Sequence, residues 1–238
     1  MNTLLTKASF DKNANERELN NLKIAYEAAC ESIVLLENDG SLPIPTKKVA
    51  LYGSGASHTI KGGTGSGEVN ERHSVTVLEG MEKAGFQITT KKWIDDYKRL
   101  YDEGEIAFKK SKYKTVIKNP MSFMADYPGT DGRLVTDQDI KDSDTDYCIY
   151  ILSRQAGEGV DRRAEKGDYF ITDIEKANIE KCAKAYNHFI LIINGGSQID
   201  MAFAEEIKGI NAIAFMCQLG TEGGTAVADF LLGKITPS

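Results

Sequence analysis

Tyr147-Cys-Ile-Tyr-Ile-Leu-Ser-Arg-Gln-Ala-Gly-Glu-Gly-Val-Asp-Arg162 runs from an apolar block straight into charges and glycines. A continuous apolar run of this kind, rich in β-branched and aromatic residues, reads as a strand covered on both faces. Three more runs have the same character: Lys48-Val-Ala-Leu-Tyr-Gly53, Phe189-Ile-Leu-Ile-Ile193 and Ala212-Ile-Ala-Phe-Met216. Each run ends in residues rich in Gly, Ser, Asn or charge, at 53–67, 153–168, 194–197 and 218–224. Helical patterns lie between the strands, so the expected class is α/β, with a mostly parallel sheet of about five to six strands sandwiched between helices. In such sheets ligands lie outside the carboxyl ends of the strands, and the four loops are expected to meet there as one site.

Outward from that core, residues 1–15 are polar and unpatterned, and read as an arm. From Glu16 apolar residues recur at helical spacing through Leu19, Leu22, Ile33, Val34 and Leu36, which predicts one helix ending at the Asn38-Asp-Gly40 turn signal. Further helices are predicted from Ser74 to Ala84, around 95–110, from Asp173 to Tyr186 and near the end to about Leu232, with a short one after Ser197. Thr172-Asp-Ile-Glu175 forms a capping-box pattern at one of these starts. A strand is predicted over Phe86–Thr90 and another over 146–153, and the Pro- and Gly-containing stretch Asn119–Asp131 reads as a long irregular insertion of the kind that serves a site or a partner surface. No repeat and no low-complexity linker divides the chain, so residues 1–25 are taken as arm and helix start and 26–238 as one compact domain.

Composition narrows the function classes. A net charge of -6 and a pI near 5.3 supply no basic face for nucleic acid or an anionic membrane. No run of about 18 apolar residues is present to span a bilayer, and the first residues have no secretory pattern, so a cytoplasmic setting is expected. Cys30, Cys148, Cys182 and Cys217 are widely spaced, which predicts buried reduced thiols rather than a disulfide framework or zinc site. No cofactor or metal motif is apparent.

The stretch 53–67 holds six glycines. It does not fit a nucleotide loop: Gly67 is followed by Glu68 rather than Lys, and the G-x-G-x-x-G spacing is absent. Glu158 has two readings. Charged loop residues are ordinarily solvated, with Asp161, Arg162, Arg163 and Glu165 as weak surface pairs. Against this, Gly157 and Gly159 permit close backbone approach, and one carboxyl held in that way suits proton transfer to a leaving group. His188 precedes a buried strand and reads as structural, whereas His58 and His73 are candidates to line the site without forming a triad.

Ala29-Cys-Glu-Ser-Ile-Val-Leu-Leu-Glu-Asn38 with Leu42-Pro43, Gly62-Gly-Thr-Gly-Ser-Gly-Glu-Val69, Gly157-Glu-Gly-Val-Asp-Arg162 with Gly167-Asp168, Asn194-Gly-Gly196, and Gly220-Thr-Glu-Gly-Gly224 together resemble the α/β-sandwich domain of family 3 glycoside hydrolases. The likeness covers about residues 25–238, in order. It implies a retaining β-glycosidase acting on β-glucosides or β-xylosides. In that family a barrel domain supplies an aspartate nucleophile and the sandwich the general acid/base, and Glu158 is the matching position. The same likeness implies sugar-pocket contacts from Lys61, Gly62, Gly63, Thr64, Gly65, Ser66, Gly67, Glu68, Asp161 and Arg162. The partners it implies are a β-linked oligosaccharide or glucoside and the barrel of the same enzyme, with homo-oligomerisation left open.

No barrel and no candidate nucleophile occur in these residues, so the chain is expected to be inactive alone. The sandwich motifs begin near the first residue, which resembles inverted-order members of the family and predicts an N-terminal piece of a larger, bacterial, intracellular β-glucosidase. A non-catalytic carbohydrate-binding or interface module is the rival reading.

Overall fold

The computed structural model describes residues 12–116, 127–157 and 161–238. Its elements are α1 (Glu16–Glu31), β1 (Val34–Asn38), β2 (Lys48–Tyr52), α2 (Val77–Lys83), β3 (Gln87–Ile88), α3 (Lys91–Val116), α4 (Asp137–Ser143), β4 (Tyr147–Arg154), α5 (Asp173–Ala185), β5 (His188–Gly195), α6 (Ala202–Glu206), β6 (Ala212–Phe215) and α7 (Gly223–Leu231). The six strands form one sheet in the order β1-β6-β5-β4-β2-β3. Five run parallel, and β1 pairs antiparallel with β6. The α/β sandwich read from the four apolar runs is therefore the fold, and those runs are β2, β4, β5 and β6.

The central strands explain their own composition. After its first residue every position of β4 and of β5 is buried, so both faces need apolar side chains and no alternation is seen. Parallel crossovers are right-handed, and the chain leaves β2 in one direction towards β3 and returns in the other to β4, β5 and β6. Consecutive crossovers in opposite directions set α2 on one face and α3 to α6 on the other. α1, α2 and α7 pack together. On the opposite face Tyr52, Trp93 and Tyr186 meet, with the Tyr52 and Trp93 rings edge-on at 5.4 Å and the Tyr52 and Tyr186 hydroxyls 3.0 Å apart.

Several boundaries differ from the sequence expectation. The first helix does not reach Leu36. It ends at Glu31, and Val34, β-branched like Ile33 before it and ill suited to a helix, opens the edge strand β1, which finds its partners in β6. The strand expected over 86–90 keeps only Gln87–Ile88 as ladder, while the Thr90 hydroxyl accepts from the Leu51 amide at 2.9 Å. The helix expected near 95–110 is Lys91–Val116, and α4 is an additional helix capped by Thr136 and Asp139. The Thr172–Glu175 capping box is present as expected. Cys30, Cys148 and Cys182 are buried and all four thiols are free. Among the described residues no helix is long and apolar enough to cross a membrane.

Candidate functional site

β2 and β4 are neighbours whose following helices lie on opposite faces, which makes the crevice outside their carboxyl ends a topological switch point, the usual ligand position in open α/β sheets. The chain leaves β2 through Gly53, at φ +92 and so close to β4 that a Cβ there would lie 2.3 Å from the Ile151 carbonyl oxygen. That approach carries the glycine-rich stretch across the end of β4 rather than away from it.

Asn194, fully buried at the end of β5, then fastens the loops together. Its amide donates to the Ile60 carbonyl at 2.9 Å and the Cys217 carbonyl at 2.8 Å, and its oxygen accepts from the Ile60 amide at 2.7 Å and the Ser153 hydroxyl at 3.1 Å. One side chain thus joins the loops after β2 and β6 to the ends of β4 and β5. The Gly220 amide donates to the Lys61 carbonyl at 2.8 Å, so the β6 loop also rests on the glycine stretch.

The glycine stretch lies directly against the segment that follows β4. Thr64 forms a parallel bridge with Gly157, its amide donating to the Ala156 carbonyl at 3.0 Å, and the Gln155 side chain donates to the Gly62 carbonyl at 3.0 Å. Gly62–Thr64 and Gln155–Gly157 therefore lie side by side at the crevice, joined by that bridge and these two hydrogen bonds. Gly65–Gly67, with Ser66 between them, form one tight helical turn, and Glu68 is exposed beyond it. Lys61 is turned to an ion pair with Glu71 and to the Val69 carbonyl at 3.3 Å, and the bond from Lys61 holds the Glu71 carboxyl below the usual carboxylate range. Asp161 is exposed. Glu158 lies outside the described residues.

Beneath the loop sits a buried ion pair that the apolar-run reading of β4 overlooks. Arg154 and Glu175, 7% and 3% exposed, meet in a two-pronged contact whose Nη1–Oε1 distance is 2.6 Å. Arg154 Nε also donates to the Asp168 carbonyl at 3.2 Å, and Glu175 accepts from the Thr172 amide at 2.8 Å. The pair joins the end of β4, the returning loop and the start of α5. Its signals in the sequence are an arginine closing an apolar strand and an acid at the third position of a capped helix. Nearby, burial and the Glu175 carboxylate both raise the Asp131 pKa.

Arg162 is likewise turned onto the protein, towards Ser197, Gln155 and Asp168. Burial alone would lift the Asp168 carboxyl. The Arg163 amide and the two guanidinium groups outweigh it and hold the carboxyl below its usual range, so Asp168 stays an anion facing arginine. The histidines divide. His188 bonds Ser41 at 2.9 Å and stacks on Tyr147, His73 pairs with Glu79 at 3.2 Å on the surface, and His58 stacks on Tyr101 at 3.9 Å between ring centroids. Burial depresses the His58 pKa. Chemically, the crevice offers backbone amides and carbonyls held in fixed strips, beside the segment that leads on to an acidic residue.

A family model described as "Glycosyl hydrolase family 3 C-terminal domain" matches residues 33–238. Beta-glucosidase A of Butyrivibrio fibrisolvens is 28% identical over 245 residues, covering 91% of this chain and 28% of that protein. A beta-glucosidase of Ruminococcus albus is 30% identical over 227 residues, covering 91% of this chain and 22% of its own. Among solved structures, beta-glucosidase 3B from Thermotoga neapolitana in complex with alpha-D-glucose superposes with a TM-score of 0.80 at 29% identity, over 94% of this chain and 30% of that one. The chain spans about a quarter of the length of the curated relatives it matches.

Proposed function

Because this chain belongs to glycosyl hydrolase family 3, through the C-terminal domain matched over residues 33–238, we propose that it supplies the general acid/base, Glu158, to a retaining β-glycosidase acting on terminal β-linked glucosides or xylosides. The nucleophile, an aspartate of a barrel domain, lies outside this chain. Glu158 protonates the glycosidic oxygen as that aspartate attacks, then deprotonates the water that releases the sugar, with the two carboxyl groups roughly 5–5.5 Å apart in the assembled site. Lys61–Glu68 and the 161–162 stretch border the sugar pocket between the two domains. Alone, the chain holds one half of the catalytic pair and is inactive. Its four free thiols fit a reducing, cytoplasmic setting.

The observation that carries this reading is the seating of Gly62–Thr64 against Gln155–Gly157, immediately before Glu158, at the mouth of the β2/β4 crevice. The test is Glu158→Gln in the enzyme that contains both this chain and the barrel. Loss of a general acid lowers kcat/KM by about 10²- to 10⁴-fold for a glycoside with a poor leaving group, and far less for a dinitrophenyl glycoside, whose departure needs no proton. Equal losses on both substrates would remove Glu158 from that role.

A further inference from the structure

At the end of β6 the chain turns through Cys217, whose φ of +50 is a left-handed conformation that residues with a Cβ rarely adopt. Both sides of the turn are pinned. The Met216 amide donates to the Ile193 carbonyl at 2.9 Å, the Cys217 carbonyl accepts from Asn194 at 2.8 Å, and the Gly220 amide donates to the Lys61 carbonyl at 2.8 Å. The Gln218 side chain then lies across the loop after β5. A Cβ on Gly196 would sit 2.4 Å from Gln218 Cδ and 2.5 Å from both Nε2 and Oε1, so only a glycine leaves the carboxamide room there. Its Oε1 is the end turned towards Gly63, where a Cβ would lie 4.0 Å from it and 3.4 Å from the Ala156 carbonyl oxygen. Gln218 therefore occupies the point where the loops after β2, β4, β5 and β6 meet.

The two carboxamides at this junction differ in one respect. Asn194 bonds through both its nitrogen and its oxygen. Gln218 Nε2 is buried and has no acceptor among the described residues. Burying an amide donor without an acceptor is costly, and folded proteins pair nearly all of theirs. An unpaired donor on a side chain held by a left-handed turn and a close-fitting glycine is an atom kept for something that binds. Gln218 as a whole is half-buried, and a half-turn about its last side-chain bond exchanges the two ends of the amide. Nε2 forfeits no hydrogen bond in making that turn. A neutral group that donates and accepts from adjacent positions matches a sugar hydroxyl, which does the same, and offers no charge to attract an ion.

We infer that Gln218 is a further ligand for the sugar, hydrogen-bonding one hydroxyl of the bound glycoside from the β6 side of the crevice. The inference rests on the reading of this chain as part of a β-glycosidase. It does not depend on which carboxyl is the acid.

The experiment pairs a substitution in the protein with a deletion in the substrate, in the enzyme containing this chain and its barrel. The substrates are methyl β-cellobioside, or methyl β-xylobioside where that is hydrolysed faster, and its monodeoxy forms, each lacking one hydroxyl of one ring. Gln218→Met keeps the length of the side chain and removes both amide atoms. It is expected to lower kcat/KM for the complete disaccharide by about 3- to 10-fold. For the monodeoxy form that lacks the bonded hydroxyl the same substitution is expected to change kcat/KM by less than about 2-fold, while every other form keeps the full loss. Gly196→Ala leaves the amide present but displaced, because its Cβ meets the end of a flexible side chain, and is expected to give the same pattern. Damage to the fold lowers every form alike, so a loss specific to one hydroxyl separates contact from structural harm. A loss equal across the series, or no loss with any form, overturns the inference. If Gln218→Met does not fold, the Gly196→Ala series decides by the same criterion. A parent enzyme that hydrolyses neither disaccharide removes the glycosidase reading and this inference with it, whereas hydrolysis without a hydroxyl-specific loss removes only the role of Gln218.

Discussion

Gly80 and Gly224 mark the point where α2 and α7 touch backbone to backbone, and replacing either with alanine sets two known effects against each other. A Cβ on Gly80 would lie 2.0 Å from the Gly224 carbonyl oxygen, and one on Gly224 would lie 2.0 Å from the Thr76 carbonyl oxygen. Alanine in a helix interior is worth about 1 kcal/mol over glycine. Overpacking costs about 1–3 kcal/mol, and the upper end applies because the obstacle is helix backbone, which no rotamer change can clear. The clash wins, leaving a net loss near 2 kcal/mol for Gly80→Ala, or a melting temperature lower by roughly 4–8 °C in a chain of this size. The consequence extends beyond the crossing: the Val75 amide donates to the Thr221 carbonyl at 2.8 Å, linking the residues just before α2 to the turn before α7. Urea unfolding followed by far-UV circular dichroism measures the loss. Gly67→Ala serves as the control, because a Cβ there meets nothing within 4 Å, and its effect should stay within about 0.5 kcal/mol. A Gly80→Ala chain as stable as its parent would refute the close crossing and the reasoning from it.

Glu175→Ala strands the Arg154 guanidinium in a buried setting, and its expected cost is about 3–5 kcal/mol by thermal or urea unfolding; a cost below about 1 kcal/mol would mean the pair is in effect solvated. His58 gives a pH signature. Burial places its folded pKa below the ordinary 6.5, so the unfolded chain binds the proton more readily, and stability is complete above about pH 6.5 and declines as pH falls through the lowered value. The parent should therefore lose melting temperature relative to His58→Phe between about pH 7 and pH 5, and a difference that stays constant across that range contradicts the burial.

What the sequence discloses follows from how each signal arises. β2, β4, β5 and β6 are legible because strands covered on both faces must be apolar throughout, and little else is. β1 is misread because Ile33, Val34 and Leu36 also satisfy helical spacing, and its strand state depends on β6, a partner far along the chain that local periodicity cannot reveal. α4 carries its signal only weakly, in Thr136-Asp-Gln-Asp139, with Asp where Glu or Gln would ordinarily complete the box. The loops that meet at the crevice are legible as glycine-rich strand ends. Arg162 is legible as a charge but not as a clamp, since its acceptors include two main-chain carbonyls that no residue identity encodes.

The pairing of Val34 with Phe215 also fixes an order of events during synthesis. β1 and the face of α1 that rests on α7 acquire their partners only after nearly the whole sequence has left the ribosome, because those partners are β6 and α7. Until then Ile33, fully buried in the finished fold, has no core to enter. The first strand of this sheet is thus among the last to be completed, and the nascent polypeptide carries an unpaired strand and an apolar helix face until residues 212–231 have followed, the interval in which a chaperone has most to protect.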